Sequence, residues 1–467
     1  MSSAKVSNLL ASFFTDLSGD IKVLDAGAGV GSLSAALVQR ALNDFDSKKI
    51  DVTAFEIDEV LTTYLNSTYE FCRKMSHDHS VEFKAEVNSS NFIFDSVEII
   101  KENSSPEIYD KAILNPPYLK VAAQSKERKD CKSIGIDSGN LYSLFVALAI
   151  KLLKPKGELV AITPRSFCNG PYFTAFRKFI LQETAIKQIR VFKSRTSAFK
   201  GDEVLQENVV FHLVKSEVQK DVLITQSDSS DCGEVSEMIV PFEKVVYEND
   251  SNQFIHILTS QAEAKLSAKM SSLPCTLNDL SVNVSTGKSV DFRVRDFTYE
   301  ATAKNRVPYI FPVHFDKGLI EWPLEDIKKP NAIEVTDKTE KLLVPNGHYV
   351  LTRRLSSKEE DRRVVAAIYR PNEVSSNLVA FDNKTNYFHA NGEGLDANLA
   401  IGLYAFISSN VVDKYFRTFN GHTQVNATDL RFIRYPSKQS LMKIGTLLTE
   451  HDLSNFDKIN KVVEQFI

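Results

Sequence analysis

Apolar and polar positions in the first half of the chain follow two different periods. Residues 21–24 form a short apolar run, residues 33–45 carry apolar side chains at helical spacing, and residues 51–57 return to strand alternation. Together they predict one βαβ unit whose turn is the glycine loop at residues 25–31. Further strands are predicted at 81–84, 111–114, 158–163, 186–192 and 208–213, with helices at 141–153 and 172–181. Strands alternating with helices imply an α/β fold with a doubly wound, mostly parallel sheet. A polar stretch at 226–237, rich in Ser and Asp, reads as a surface loop or link. Domains are therefore expected over residues 1–235 and 236–467. In the second, short β-like runs at 307–313 and 347–352 mix with helical segments such as 397–407, which predicts a mixed α+β domain.

The apolar run at 111–114 ends on Asn115-Pro116-Pro117-Tyr118. Open α/β sheets bind ligands at the C-terminal ends of their strands, and a proline keeps the residue before it out of helical geometry. The tetrapeptide thus sets an amide oxygen, a free backbone carbonyl and an aromatic face at such an end. Two acceptors suit the two protons of an exocyclic NH2 group, and the ring suits the flat base that carries it. The chemistry suggested is alkylation of a planar amino group.

The glycine loop reads Asp25-Ala26-Gly27-Ala28-Gly29-Val30-Gly31. Its glycines let the backbone approach a ligand closely, and the helix that follows offers free N–H groups to an anionic end of that ligand. Such a loop serves nicotinamide nucleotides, adenosylmethionine or a plain tight turn. The Gly-x-Gly-x-Gly spacing and the preceding Asp25 favour adenosylmethionine, and Glu56, at the end of the next strand, is placed for two ribose hydroxyls.

Composition adds less. With 56 basic and 60 acidic residues the net charge is −4, which by itself gives no sign of nucleic acid. Divided after residue 250, the chain has 29 basic against 35 acidic residues, then 27 against 25. Within the second part, residues 341–370 hold Lys341, Arg353, Arg354, Lys358, Arg362, Arg363 and Arg370 against Glu359, Glu360 and Asp361. Such a run is either a solvated surface or a phosphate contact. Five scattered cysteines without a CxxC pair argue against a zinc site or a disulfide framework, and no metal is expected. The longest apolar stretch, 141–153, is interrupted by Tyr142, Ser143 and Lys151, so no membrane span is expected. No cleavage pattern follows the N-terminal apolar residues, and the expected home is a reducing cytosol. Gly287-Lys288-Ser289 lacks the earlier glycine of a phosphate-binding loop, which has Val282 in its place.

The set Val23 to Gly31, Phe55-Glu56-Ile57-Asp58 and Asn115 to Tyr118, in that order with a long variable region last, resembles the gamma class of DNA adenine-N6 methyltransferases. More closely it is similar to type II restriction-modification methylases of the PstI/BsuBI kind. Asn420 to Leu430 and Val284 to Lys288 resemble stretches near the end and the start of their target-recognition region. The resemblance implies a Rossmann-like methyltransferase sheet followed by a target-recognition domain, S-adenosyl-L-methionine as methyl donor, and double-stranded DNA as partner. Asp25, Gly27, Gly29 and Gly31 would line the donor's methionine, Glu56 its ribose, and Asn91-Phe92 its adenine, with Asn91 where the family usually has an acid. Asn115 and Pro116, with Pro117 and Tyr118, would hold the extruded base, with Phe199 as a second aromatic. Lys288, Arg353, Arg354, Arg362, Arg363, His422 and Gln424 are the candidate DNA contacts. The family's Phe-Thr-Pro-like segment has only Phe13-Phe14-Thr15 as a counterpart, implying a shortened start or a pocket closed differently. A bacterial or archaeal cytoplasm, a monomer, a separate restriction endonuclease and the target CTGCAG are the remaining implications. The competing acceptors are a protein glutamine amide and an RNA base, but enzymes for those are usually shorter than this chain.

Overall fold

The computed structural model describes residues 3–192, 207–227, 235–356, 359–371 and 376–467. The chain divides into two compact units, Met1–Ser260 and Gln261–Ile467.

The first unit runs α1 (Ala4–Ala11), β1 (Gly19–Ala26), α2 (Ser32–Asp44), β2 (Ser47–Phe55), α3 (Glu59–Asp78), β3 (Glu82–Asn88), α4 (Phe92–Glu102), β4 (Tyr109–Leu114), α5 (Lys126–Ser133), α6 (Leu141–Leu152), β5 (Leu153–Pro164), α7 (Thr174–Glu183), β6 (Thr184–Phe192), β7 (Asn208–Lys215), β8 (Val222–Ser227) and β9 (Val235–Val240). Its sheet has the order β3-β2-β1-β4-β5-β7-β6-β8-β9. The first five strands in that order are parallel, as the βαβ alternation requires, whereas β7 lies antiparallel to both β5 and β6. Helices α1, α2 and α3 pack together on one face, and α4, α6 and α7 on the other. Burial between the sheet and its neighbouring helices explains why α6 is apolar all round, with every residue from Tyr142 to Ile150 buried.

The expected link at 226–237 is not a domain boundary. Its two ends belong to β8 and β9, which pair antiparallel from Val222↔Val240 to Ser227↔Val235, so the first unit continues to Ser260. Phe13, Phe14 and Leu17 are buried in the core under α1–α3, and the Thr15 N–H donates to Glu158 Oε2 at 2.9 Å. Glu158, on β5, also pairs with Lys111 of β4 and with His212 Nε2 of β7 at 2.7 Å, so one buried carboxylate ties three strands to the segment before β1.

The second unit is mixed α+β. One sheet orders Asn283–Thr286, Thr385–His389, Tyr349–Arg353, Ala366–Tyr369, Leu319–Ile320 and Phe315–Asp316, and another orders Thr298–Tyr299, Ala332–Glu334, Arg306–Ile310, Leu378–Phe381 and Leu343–Pro345. Helices Ala397–Ile407 and Lys438–Leu447 cross so closely that a Cβ on Gly402 would stand 1.9 Å from the Leu441 carbonyl oxygen. Only hydrogen on that Cα permits the approach.

Candidate active site

Strands β1 and β4 are parallel neighbours, with Leu24 opposite Ala112, so the glycine loop and the tetrapeptide leave the same edge of the sheet. The chain reaches β2 and β3 on one side of β1 and returns to β4 on the other, and ligands bind at such a reversal of strand order.

The loop is shaped by its glycines. Gly27, Gly29 and Gly31 have φ of 76°, 58° and 80°, a region that side chains with a Cβ rarely adopt. At Gly31 a Cβ would also meet Leu65 Cδ1 at 2.7 Å. The N–H groups of Gly27 and Ala28 donate to the Phe55 carbonyl at 2.9 and 3.0 Å, which ties the loop to the end of β2. Glu56 completes the tie, accepting the Gly29 N–H at 2.8 Å on one oxygen and the Asp58 N–H at 2.9 Å on the other. Each oxygen keeps a second lone pair for a ligand hydroxyl.

Asp25 is fully buried. One carboxylate oxygen accepts the Ser34 hydroxyl at 2.5 Å, and Ser34 also bonds the Tyr69 hydroxyl at 3.0 Å. The other oxygen, Oδ1, is buried and has no hydrogen-bond partner among the described residues. Burial pushes the Asp25 carboxyl up to about 6, against the lowering effect of Ser34. A buried carboxylate with one open oxygen beside a glycine loop suits a cationic ligand, because an added positive charge satisfies the oxygen and favours ionisation. The unsatisfied Asp25 oxygen beside this loop fits the cationic donor that the resemblance implies.

Asn91 and Phe92 take positions the sequence did not specify. Asn91 caps α4, its side-chain oxygen accepting the Ile93 N–H at 2.9 Å, a task that Asn and Asp perform equally well. Phe92 is buried between Phe55 and Phe145, with ring centroids at 5.2 and 5.1 Å. The exposed apolar side chain beside Glu56 is Ile57, 70% accessible, which the sequence reading did not single out. Ser34 and Tyr69 were missed too; a hydroxyl three residues beyond the last loop glycine is the signal that points to Ser34.

At the end of β4 the Tyr118 hydroxyl faces two acceptors, Asn115 Oδ1 at 3.1 Å and the Ile162 carbonyl of β5 at 3.2 Å. Tyr142 of α6 meets the Tyr118 ring edge-on at 6.2 Å and stacks on Phe173 at 5.4 Å. The chain after the tetrapeptide is closed by the Leu141 N–H donating to Leu119 O at 2.8 Å and the Val121 N–H to Gly139 O at 2.9 Å. Pro116 is buried and Pro117 exposed. Phe199 lies outside the described residues.

The basic run of the second unit is divided by the fold. Lys288 and Gln424 are exposed. Arg354 donates to Asn383 O at 2.7 Å, and Arg353 pairs with Glu360. Arg362 bonds Ser408 O and Asn410 Oδ1 and lies 3.9 Å over the Phe456 ring. Arg363 corrects the sequence reading. It is 1% accessible, and its guanidinium donates to Ser356 O, Asn420 Oδ1 and the His422 carbonyl, so it braces the segment that presents His422 and offers no face to a phosphate.

Known proteins resemble this chain over most of its length. The Eco57I restriction-modification methylase family profile matches residues 17–199. Type II methyltransferase M.PstI of Providencia stuartii is 50% identical over 471 residues, covering 100% of this chain and 92% of the relative. Type II methyltransferase M.BsuBI of Bacillus subtilis is 43% identical over 96% of this chain and 89% of its own length. Among solved structures, the Type IIL restriction-modification enzyme MmeI in complex with DNA aligns with 99% of this chain and 72% of its own, at a TM-score of 0.59 and 12% identity, a likeness of fold.

Proposed function

The chain belongs to the type II methyltransferases of restriction-modification systems, and from that premise we propose that it methylates N6 of an adenine turned out of duplex DNA. Its methyl donor is S-adenosyl-L-methionine, which supplies an electrophilic methyl on a sulfonium. The observation that carries the reading is the adjacency of the Asp25 loop on β1 and Asn115-Pro116-Pro117-Tyr118 on β4. Asp25 Oδ1 and the glycine-loop backbone hold the donor's charged methionine end, and Glu56 holds its ribose. Asn115 Oδ1 and the Pro116 carbonyl accept the two amino protons, which favours a pyramidal nitrogen with its lone pair available for in-line attack. The Asn115 oxygen has two lone pairs, so it can accept from Tyr118 and from the base together. Tyr118 stacks on the purine. The base leaves the duplex because N6 is otherwise engaged in pairing. The protein's contribution is positioning and electrostatics.

The rest of the reading extends what the sequence resemblance implies. The second unit reads the target, for which CTGCAG is the proposed sequence, the enzyme acts as a monomer in a bacterial or archaeal cytoplasm, and cleavage belongs to a separate endonuclease. Among the described residues no helix is long and apolar enough to cross a membrane. The test is incubation of the full chain with methyl-labelled donor and duplex DNA, RNA or a glutamine-bearing protein, followed by digestion of labelled DNA to nucleosides. Label in N6-methyladenine is expected; label in N4-methylcytosine, RNA or protein alone would overturn the assignment.

A further inference from the structure

Phe292 is the most exposed large apolar side chain among the described residues of the second unit, 73% accessible, and the fold holds it there. Its neighbour Asp291 is pinned by Lys329 and by Lys384 Nζ at 3.5 Å, and accepts the Phe292 N–H at 2.7 Å. Two residues on, Val294 is buried in the core with Tyr309 and Phe311. Between these anchors Phe292 projects from a pair of short 3-10 turns, Asp291–Arg293 and Arg295–Phe297. Arg293 and Arg295 are exposed, and the Arg293 guanidinium lies 5.6 Å from the Phe292 ring centroid.

The neighbouring segments are cationic as well. The Gly287 N–H donates to Thr385 O at 2.9 Å and Asn383 N–H to Ser289 O at 2.8 Å, which sets exposed Lys288 against the 382–385 turn. The Arg354 N–H donates to Lys384 O at 2.8 Å, and Val425 N–H to Arg354 O at 2.8 Å, which brings half-exposed Leu355 and exposed Gln424 to the same edge. Of the acids there, Asp291 is taken by two lysines and Asp382 is buried, while Asp296 and Glu300 are exposed among the described residues.

We propose that Phe292 stacks on the bases of bound duplex DNA, with Lys288, Arg293 and Arg295 on the flanking phosphates. A polyanion with flat apolar faces answers both features: cations on either side of the ring match the phosphates, and the ring matches a base step. An acidic protein partner would meet the arginines and leave the ring in water. The rigid anchoring means that little ordering entropy opposes insertion. The proposal rests on duplex DNA being the substrate, as argued above.

The experiment measures binding of the full chain to a mixed-sequence duplex over a range of KCl concentrations, alongside donor binding and thermal melting. Phe292→Ala should weaken duplex binding about tenfold, the base–aromatic stack lost less the unstacking of the base step that is no longer needed, with the salt slope, donor affinity and Tm unchanged. Arg293→Ala should instead reduce the slope of log affinity against log salt by about 0.9. Phe292→Trp should bind as tightly as the native chain and show emission quenched by the duplex, against the signal of Trp322, the chain's one native tryptophan. Native affinity in Phe292→Ala, or in Phe292→Leu, which keeps apolarity but has no ring, would overturn the proposal. So would a loss of affinity in Phe292→Ala matched by a fall in Tm. Failure of the native chain to bind or methylate any duplex would instead strike the functional reading itself.

Discussion

The donor site proposed at Asp25 makes a pH prediction whose sign can be worked from one carboxylate. Asp25 is fully buried, with a carboxyl raised by burial to about 6 and one oxygen without a partner among the described residues. A cationic donor beside that oxygen requires the ionised form, so binding below the raised pKa must expel a proton. At pH 5 about one Asp25 in ten is ionised, and at pH 7 nearly all are, so the donor's Kd should rise about tenfold from pH 7 to pH 5, or about 1.4 kcal/mol. Titration calorimetry at pH 6 in two buffers of different ionisation enthalpy should show release of about half a proton. Folding stability carries the opposite trend. A carboxyl raised in the folded state favours folding while protonated, so the stability of the free protein should fall as pH rises from about 4 through about 6. Asp25→Asn should remove both trends, raising stability at pH 7 by at most about 3 kcal/mol while weakening donor binding. A Kd that stays flat between pH 5 and 7, or the same pH dependence in Asp25→Asn, would refute the reasoning.

Asn115→Ala should lower kcat by about a hundredfold or more with donor affinity unchanged, measured by steady-state methylation and donor titration, because it removes the acceptor proposed for the reacting nitrogen. Glu158→Gln should cost about 3 kcal/mol at neutral pH, read from urea unfolding, since it leaves Lys111 and His212 without their shared partner. Burial alone would raise the Glu158 carboxyl, but the His212 hydrogen bond and the Lys111 charge bring it to about 2; its stabilisation should be complete above about pH 4.5 and disappear as pH falls toward 2, in acid unfolding compared with the variant. Gly402→Ala should lower the Tm of the second unit through a cost of about 1–3 kcal/mol, because its methyl would meet the Leu441 carbonyl.

The parts legible in the sequence are those fixed by local pattern. The βαβ unit from β1 to β2, the glycine loop and the strand before Asn115 follow from period and from residues with few conformations, and they stand where the pattern puts them. The placement of β7 between β5 and β6, antiparallel to both, depends on pairings across 18 to 56 residues and has no local signature. The stretch 226–237 looked like a link because Ser and Asp suit loops, yet Gln226 and Ser227 lie in β8 and residues 235–237 in β9, where pairing outweighs propensity. Charge was readable along Arg353 to Arg363, but direction was not. Arg363 turns inward because Asn420, Ser356 and His422, fifty-odd residues away or on the next turn of chain, offer it oxygens.

The place of the site follows from strand order more than from either motif. Asp25 and Asn115 are far apart in sequence, and they share one sheet edge because the chain builds β2 and β3 on one flank of β1 before crossing to β4 on the other. Had β4 continued outward beyond β3, the glycine loop and the tetrapeptide would be separated by two strands, about 10 Å beyond reach of the single methyl transfer proposed for them. The same adjacency bears on the choice of an amide at residue 115. Asp25 already holds a buried carboxylate whose ionisation is costly, and a second acid on the neighbouring strand would raise that cost further by like-charge repulsion. Asn115 offers an acceptor oxygen without the charge, and the Tyr118 hydroxyl, facing both Asn115 Oδ1 and the Ile162 carbonyl, orients that oxygen for the proposed base.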